Sequence, residues 1–247
     1  MLGFSEKLLS GKTIVVTGAG KGIGKACAEM AAQCGAHVIA VARTASDLDV
    51  LTKAYPDTIE PWCMDIMSSE FLDKLANLDC LHGLINNVGT NKVAPITAQA
   101  DEDLDTVIDL NLKSLYRTAR AALHPMLKAD SASIVNMSSQ MGFVGSPGRT
   151  LYCMSKHGVE GLTKSMGVEL AEKRIRVNSV APTFVLTPMT EPMLENKEFK
   201  EFVLGMIPMR KLATVDDVAN ACTFLLSELS SMVTGTCIKV DGGWTAQ

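Results

Sequence analysis

The sequence predicts an α/β protein in which a single parallel sheet of about seven strands is covered by helices on both faces, a doubly wound architecture. Three observations predict it. Short β-branched or apolar runs alternate with longer helix-patterned stretches. The first run empties into a glycine-rich turn that opens a helix. No repeat, low-complexity tract or Pro/Ser-rich linker divides the chain, so its 247 residues read as one domain, 1–247. A composition 47% hydrophobic and 20% charged leaves enough apolar side chain for a sizeable core.

Taken in order, the strand candidates are TIVVTG at 13–18, HVIAVA at 37–42, the segment 59–64, HGLIN at 82–86, SIVNMSS at 133–139, IRVNSVA at 175–181 and TCIKVDGG at 236–243. A helix carrying Ala26, Ala28, Met30 and Ala31 follows the first. Later helix-patterned stretches cover 101–128, 151–172 and 215–226, where Asp216 suits the positive end of a helix dipole. Residues 182–213 hold four prolines, at 182, 188, 192 and 208, and no periodicity. An irregular excursion of that length is expected to form a substrate-binding loop region within the domain.

Several function classes fall away. The 23 Lys and Arg against 27 Asp and Glu give a charge of −4, without the basic stripe that phosphate-backbone binding needs, so no nucleic-acid partner is expected. The opening MLGFSEKLLSGK places Glu6 and Lys7 where a secretory segment would be apolar, and no run reaches about 18 apolar residues, so no membrane partner is expected. Seven cysteines without a CxxC pair read as reduced, mostly buried thiols of a cytoplasmic protein. Histidines 37, 82, 124 and 157 are not clustered, His157 is expected to face away from any site, and no metal is assigned.

TGAGKGIG, residues 17–24, lies between a strand and a helix. Glycines 18, 22 and 24 allow a tight turn and close backbone approach, so a diphosphate can sit at the positive helix end. The acid that commonly meets ribose hydroxyls after the second strand is absent there, because the tip reads Val41, Ala42, Arg43, Thr44. Arg43 can fork onto a 2'-phosphate, with Lys21 adding a second charge, which favours NADP; Arg43 stacked on adenine would instead serve NAD. Asp65 can bond an adenine amino group or simply stand exposed at a strand end.

Tyr152 and Lys156 are four apart on a helix-patterned segment and share a face. A lysine ammonium favours the phenolate and brings the Tyr pKa of about 10 toward the working range. Ser139 lies at the carboxyl end of the fifth strand, where a hydroxyl can polarise a carbonyl. NNVG at 86–89 ends a strand on the same edge, and Asn111 can hold a water against Lys156.

In combination these motifs, with RVNSVAPT at 176–183, resemble the short-chain dehydrogenase/reductase family over essentially the whole chain, and most closely its NADPH-dependent carbonyl and L-xylulose reductase group. The resemblance implies a Rossmann-type fold and casts Ser139 as carbonyl orienter, Tyr152 as acid and base, Lys156 as ribose clamp and Asn111 as relay support. It implies NADP(H) contacts at Gly18, Gly20, Lys21, Gly22, Ile23, Gly24, Arg43, Thr44, Asp65, Ile66, Asn87, Val88, Gly89, Pro182, Val185 and Thr187, beside Tyr152 and Lys156. Val88 departs from the family's Ala and Thr183 from its Pro-Gly. Substrate contacts are expected from Ser139, Gln140 and Tyr152, with Asn91 and Arg149 reaching hydroxyls or a carboxylate and Phe184, Met189 and Met193 as an apolar wall.

The expected activity is reversible reduction of a small ketone, dicarbonyl or ketose. An NAD-dependent polyol or sugar-acid dehydrogenase and a catalytically idle NADP-binding regulator stay open; a methyltransferase would not need the Tyr/Lys pair. The family's habit implies a homotetramer built through the helices around 101–128 and 151–172 and a C-terminal strand, which TCIKVDGGWTAQ at 236–247 fits, with Val159, Leu162 and Met166 as exposed-face candidates.

Overall fold

Each apolar run becomes a strand in the computed structural model, which describes residues 3–188 and 190–247. The strands are β1 Thr13–Thr17, β2 His37–Ala42, β3 Ile59–Cys63, β4 Gly83–Asn86, β5 Ala132–Met137, β6 Ile175–Pro182 and β7 Cys237–Val240. They form one sheet in the order β3-β2-β1-β4-β5-β6-β7 with every neighbouring pair parallel. The chain reverses its direction of travel across the sheet between β1 and β4. In such sheets the crevice at that switch point, off the carboxyl ends of the strands, is where ligands bind.

Side chains alternate across each strand, and both faces are buried, which is why the runs read as continuously apolar. Ile14 and Val16 of β1 point into one core with Val38 and Ala40 of β2. Helices α1 (Gly22–Gln33) and α2 (Ala45–Ala54) add their apolar faces to this core. On the opposite face Val15, Ile39, Val41, Ile134 and Val177 meet Phe71 and Leu75 of α3 (Ser69–Ala76).

The stretch 101–128 is not one helix. It divides into α4 (Asp101–Ile108), a single π turn (Asp109–Lys113) and α5 (Ser114–Met126), whose Ala119 and Ala122 pack in the second core. A π turn inserts one residue without breaking the polar/apolar pattern, so the sequence does not announce it. Helix α6 (Thr150–Glu169) follows β5. The span 182–213 is more ordered than expected: it holds α7 (Glu191–Leu194) and α8 (Lys197–Met206), the latter capped by Asn196, whose side chain accepts from Phe199 N at 3.0 Å. Met189, one of the residues expected on the apolar wall, lies outside the described residues.

Helix α9 (Val215–Leu226) closes the first core against α1. Its capping box joins Thr214 to Asp217, and Asp216 stands in the first turn at the positive end of the helix dipole, as expected. Two further expectations are corrected. Val159 is fully buried and presents nothing to a partner, because it falls on the inner face of α6. Only Cys27, Cys34 and Cys222 are buried among the seven cysteines, Cys63 is exposed and the others are partly so; all are free thiols. No described helix is long and apolar enough to cross a membrane.

Candidate active site

The glycine loop leaves β1 at Thr17, and Gly18 (φ +67°) and Gly22 (φ +55°) turn it through left-handed conformations that favour glycine. Asn87, just past β4, ties the loop down: its backbone N–H donates to Thr17 Oγ1 at 3.0 Å, and its Nδ2 to the Thr17 and Gly18 carbonyls at 3.2 and 3.3 Å. A Cβ on Gly24 would collide with the Gly18 carbonyl oxygen and the Asn87 amide. Gly24 thus seats α1 against the loop. Val88 fills the space that a side chain at 18 would need, its Cγ2 lying 3.1 Å from where such a Cβ would stand. The extra bulk of Val over Ala is accommodated by the glycine opposite.

A cleft of about 480 Å³ runs along the carboxyl edge of the sheet over this loop. Every residue expected to contact the cofactor lines it except Gly24, whose part is packing. The first turn of α1 carries no acid and no side-chain cap, so its free N–H groups are left for an anion. The donor set therefore fits a dinucleotide: bare helix N–H groups for the diphosphate, Arg43 and Lys21 at the β2 end, and small backbone at Gly89. There a Cβ would come within 3.3 Å of Asn111 Oδ1 and 3.6 Å of Lys156 Nζ.

The acid thought absent from this region is supplied from farther along. Asp47, in the first turn of α2, lines the cleft and pairs with Lys21, Nζ to Oδ2 at 3.4 Å. Lys21 is therefore not a free cation. Asp65 lines the cleft but spends one carboxylate oxygen on Met67 N at 2.9 Å.

At the other end of the cleft stand Ser139, Tyr152 and Lys156. Ser139 lies two residues beyond β5 in extended backbone; its Oγ accepts from Met141 N and donates to Gln140 Oε1, both at 3.2 Å. Gln140 is buried and its Oε1 is taken by the Ser139 hydroxyl, so it braces Ser139. Lys156 is buried, with its ammonium donating to the Met137 carbonyl at 2.8 Å and lying 5.5 Å from the Tyr152 ring centre. Burial pulls its pKa from 10.5 to about 8, against an opposing pull from Glu160 one turn on. Burial pushes the Tyr152 phenol up, while hydrogen bonding to Ser139 and the positive charge of Arg149 pull it down. The expected net depression does not result: burial dominates, and the phenol stands above its ordinary value.

Asn111 sits in the π turn, buried, with its side chain fully engaged. Oδ1 accepts from Thr90 N at 2.7 Å, and Nδ2 donates to Thr90 O at 2.9 Å and Ser155 Oγ at 3.0 Å. It fixes the wall below Lys156 and has no side-chain donor left for the expected water. His157 is exposed and points away, its Nδ1 at the Cys153 carbonyl. The residues not foreseen, Asp47, Glu160, Ser155 and the Met137 carbonyl, lacked a motif. Only Ser155, directly before Lys156, and Asp47, four residues past Arg43, left a positional hint.

Known proteins resemble the chain along nearly its whole length. Residues 18–245 match the family described as enoyl-(acyl carrier protein) reductase. The chain is 39% identical to the 3-oxoacyl-(acyl-carrier-protein) reductase FabG of Thermotoga maritima, over 95% of this chain and 98% of that one. It is 36% identical to the L-xylulose reductase of Mus musculus, over 96% and 98%. A putative NAD(P)-dependent gluconate 5-dehydrogenase from Beutenbergia cavernae, solved with NADP at low occupancy, superposes with a TM-score of 0.93 at 32% identity, covering 98% of this chain and 100% of that one. The chain belongs to the short-chain dehydrogenase/reductase family and is an oxidoreductase that uses a nicotinamide cofactor.

Proposed function

We propose that the protein is an NADP(H)-dependent reductase of small carbonyl compounds, a ketone, dicarbonyl or ketose, acting reversibly. The observation that carries this reading is that Ser139, Tyr152 and Lys156 face into the same cleft as the glycine loop. A bound nicotinamide supplies hydride to the carbonyl carbon. Ser139 and Tyr152 hold the carbonyl oxygen, and Tyr152 gives it a proton as the C=O π bond becomes an O–H bond, yielding the alcohol. The Lys156 ammonium holds the ribose and stabilises the phenolate that remains. Asn111 keeps Thr90 and Ser155 in place beneath this group, and Arg43 with Lys21 holds a 2'-phosphate.

The Lys21–Asp47 pair favours a second reading, an NAD-dependent polyol or sugar-acid dehydrogenase, because a carboxylate near the adenosine ribose suits its hydroxyls and repels a phosphate. Following NADPH and NADH oxidation by the purified protein against diacetyl, L-xylulose and several oxo acids separates the two. NADPH-selective turnover supports the first and NADH preference the second. Turnover with neither cofactor would leave a binding protein without activity. The same reading places the protein in the cytoplasm, with a small-molecule substrate and a homotetrameric assembly as its partners.

A further inference from the structure

Arg149 is the N-cap residue of α6, three positions before Tyr152; its side chain packs on Phe184 beside the cleft and is not part of the cleft lining. Its side chain is only 7% exposed, yet among the described residues no carboxylate lies within ion-pair reach of it. Its one hydrogen-bond-range contact there is soft: Nη2 lies 3.3 Å from the Met193 sulfur. The guanidinium carbon stands 5.8 Å from the centre of the Phe184 ring. A thioether and a ring face compensate a buried guanidinium poorly, because its fork of N–H donors calls for oxygen acceptors. The positive end of the α6 dipole adds to the same field. Tyr152 feels the charge, since Arg149 lowers its pKa.

We infer that Arg149 receives a carboxylate of the substrate, so that the compound reduced is a small oxo acid carrying its negative charge a few bonds from the reacting carbonyl. The inference rests on the reductase reading above and names its substrate class. One buried guanidinium matches a monoanion in charge and in fork geometry, whereas a phosphate dianion would call for a second cation. Phe184 and Met193 then cover the short carbon chain between the two ends. The reaction stays balanced as before: hydride to carbon, the Tyr152 proton to oxygen, and the carboxylate unchanged.

The test compares acetoacetate with ethyl acetoacetate, the same oxo group with and without the charge, on the wild type, Arg149→Met and Arg149→Lys. In the wild type the acid is expected to have the higher kcat/KM. Arg149→Met lowers the acid-to-ester ratio by about 10²-fold or more, chiefly through KM, and Arg149→Lys by less. A ratio unmoved by Arg149→Met, or a wild type that prefers the ester, overturns the inference. A second readout needs no turnover: butyrate, but not isosteric butyramide, should raise the Tm of the wild type at constant ionic strength, and the rise should vanish in Arg149→Met. Equal effects of the two compounds, or stabilisation by inorganic phosphate in preference to butyrate, also overturn it. Absence of turnover on every carbonyl would sink the reductase reading itself and is thereby distinguished.

Discussion

Lys156 carries its charge at a cost, and the sign of its shift sets a pH dependence. With a pKa near 8 the side chain is an ammonium below that pH and neutral above it. The charged form is the one that donates to a ribose, so cofactor affinity of the free enzyme should fall as pH rises through about 8. Fluorescence titration of NADPH between pH 6.5 and 9.5 checks this; flat affinity would show that Lys156 does not hold the ribose. At the adenosine end, Asp47→Asn frees Lys21, and the NADPH-to-NADH preference should rise several-fold. Arg43→Asp should move it the other way. Two opposite shifts would place the phosphate between these side chains. For the chemistry, Tyr152→Phe should cost about 10²–10⁴-fold in turnover while leaving NADPH binding within a few-fold.

Elements contribute through their ends and their close approaches. Gly24→Ala drives a methyl into the Gly18 carbonyl oxygen and the Asn87 amide, neither of which can retreat without opening the loop. We expect a loss of roughly 1–3 kcal/mol or more, read as a lower Tm, together with weakened cofactor binding. Thr214→Ala removes the hydroxyl of the α9 capping box at about 1 kcal/mol. For a chain of this size that is roughly 2–4 °C in Tm, and kinetics should not change, because Thr214 does not line the cleft. Helix ends such as this one are legible once the boundary is known: Asp216 and Asp217 both fall in the first turn, but only Asp217 has the spacing from Thr214 that closes the box. The π turn was not legible at all. Asn111 was picked out from its surroundings in DLNLKSLY, but only the widened turn and the three hydrogen bonds show its side chain to be a brace.

At the scale of the molecule, α5 and α6 present an outer face with a broad depression of about 740 Å³ lined by Leu112, Tyr116, Leu162 and Gly158. It lies on the side of α6 away from Val159 and the cleft. We propose that a second copy covers it and that a further pairing through the β7 end completes a tetramer, so light scattering should give about four times the 26.4 kDa chain mass. Leu162→Arg should lower the assembled mass, and an unchanged tetramer would move the interface elsewhere.

The sequence by itself determined the sheet, its strand boundaries to within three residues and the cast of the site, because strands buried on both faces must be continuously apolar and the loop that meets a diphosphate must be glycine-rich. It also placed Tyr152, Lys156 and Ser139 on one edge, since Ser139 follows a strand end, Tyr152 falls in the first turn of a helix and Lys156 lies one turn on from it. Tertiary structure decided everything that depends on which distant side chains meet. Asp47 reaches Lys21 across a helix start. Gln140 turns inward beneath Ser139. Burial of Tyr152 outweighs the pull of Ser139 and Arg149 on its phenol. Burial and pairing are properties of packed surfaces, and neighbours separated by tens of residues leave no periodic trace in the chain.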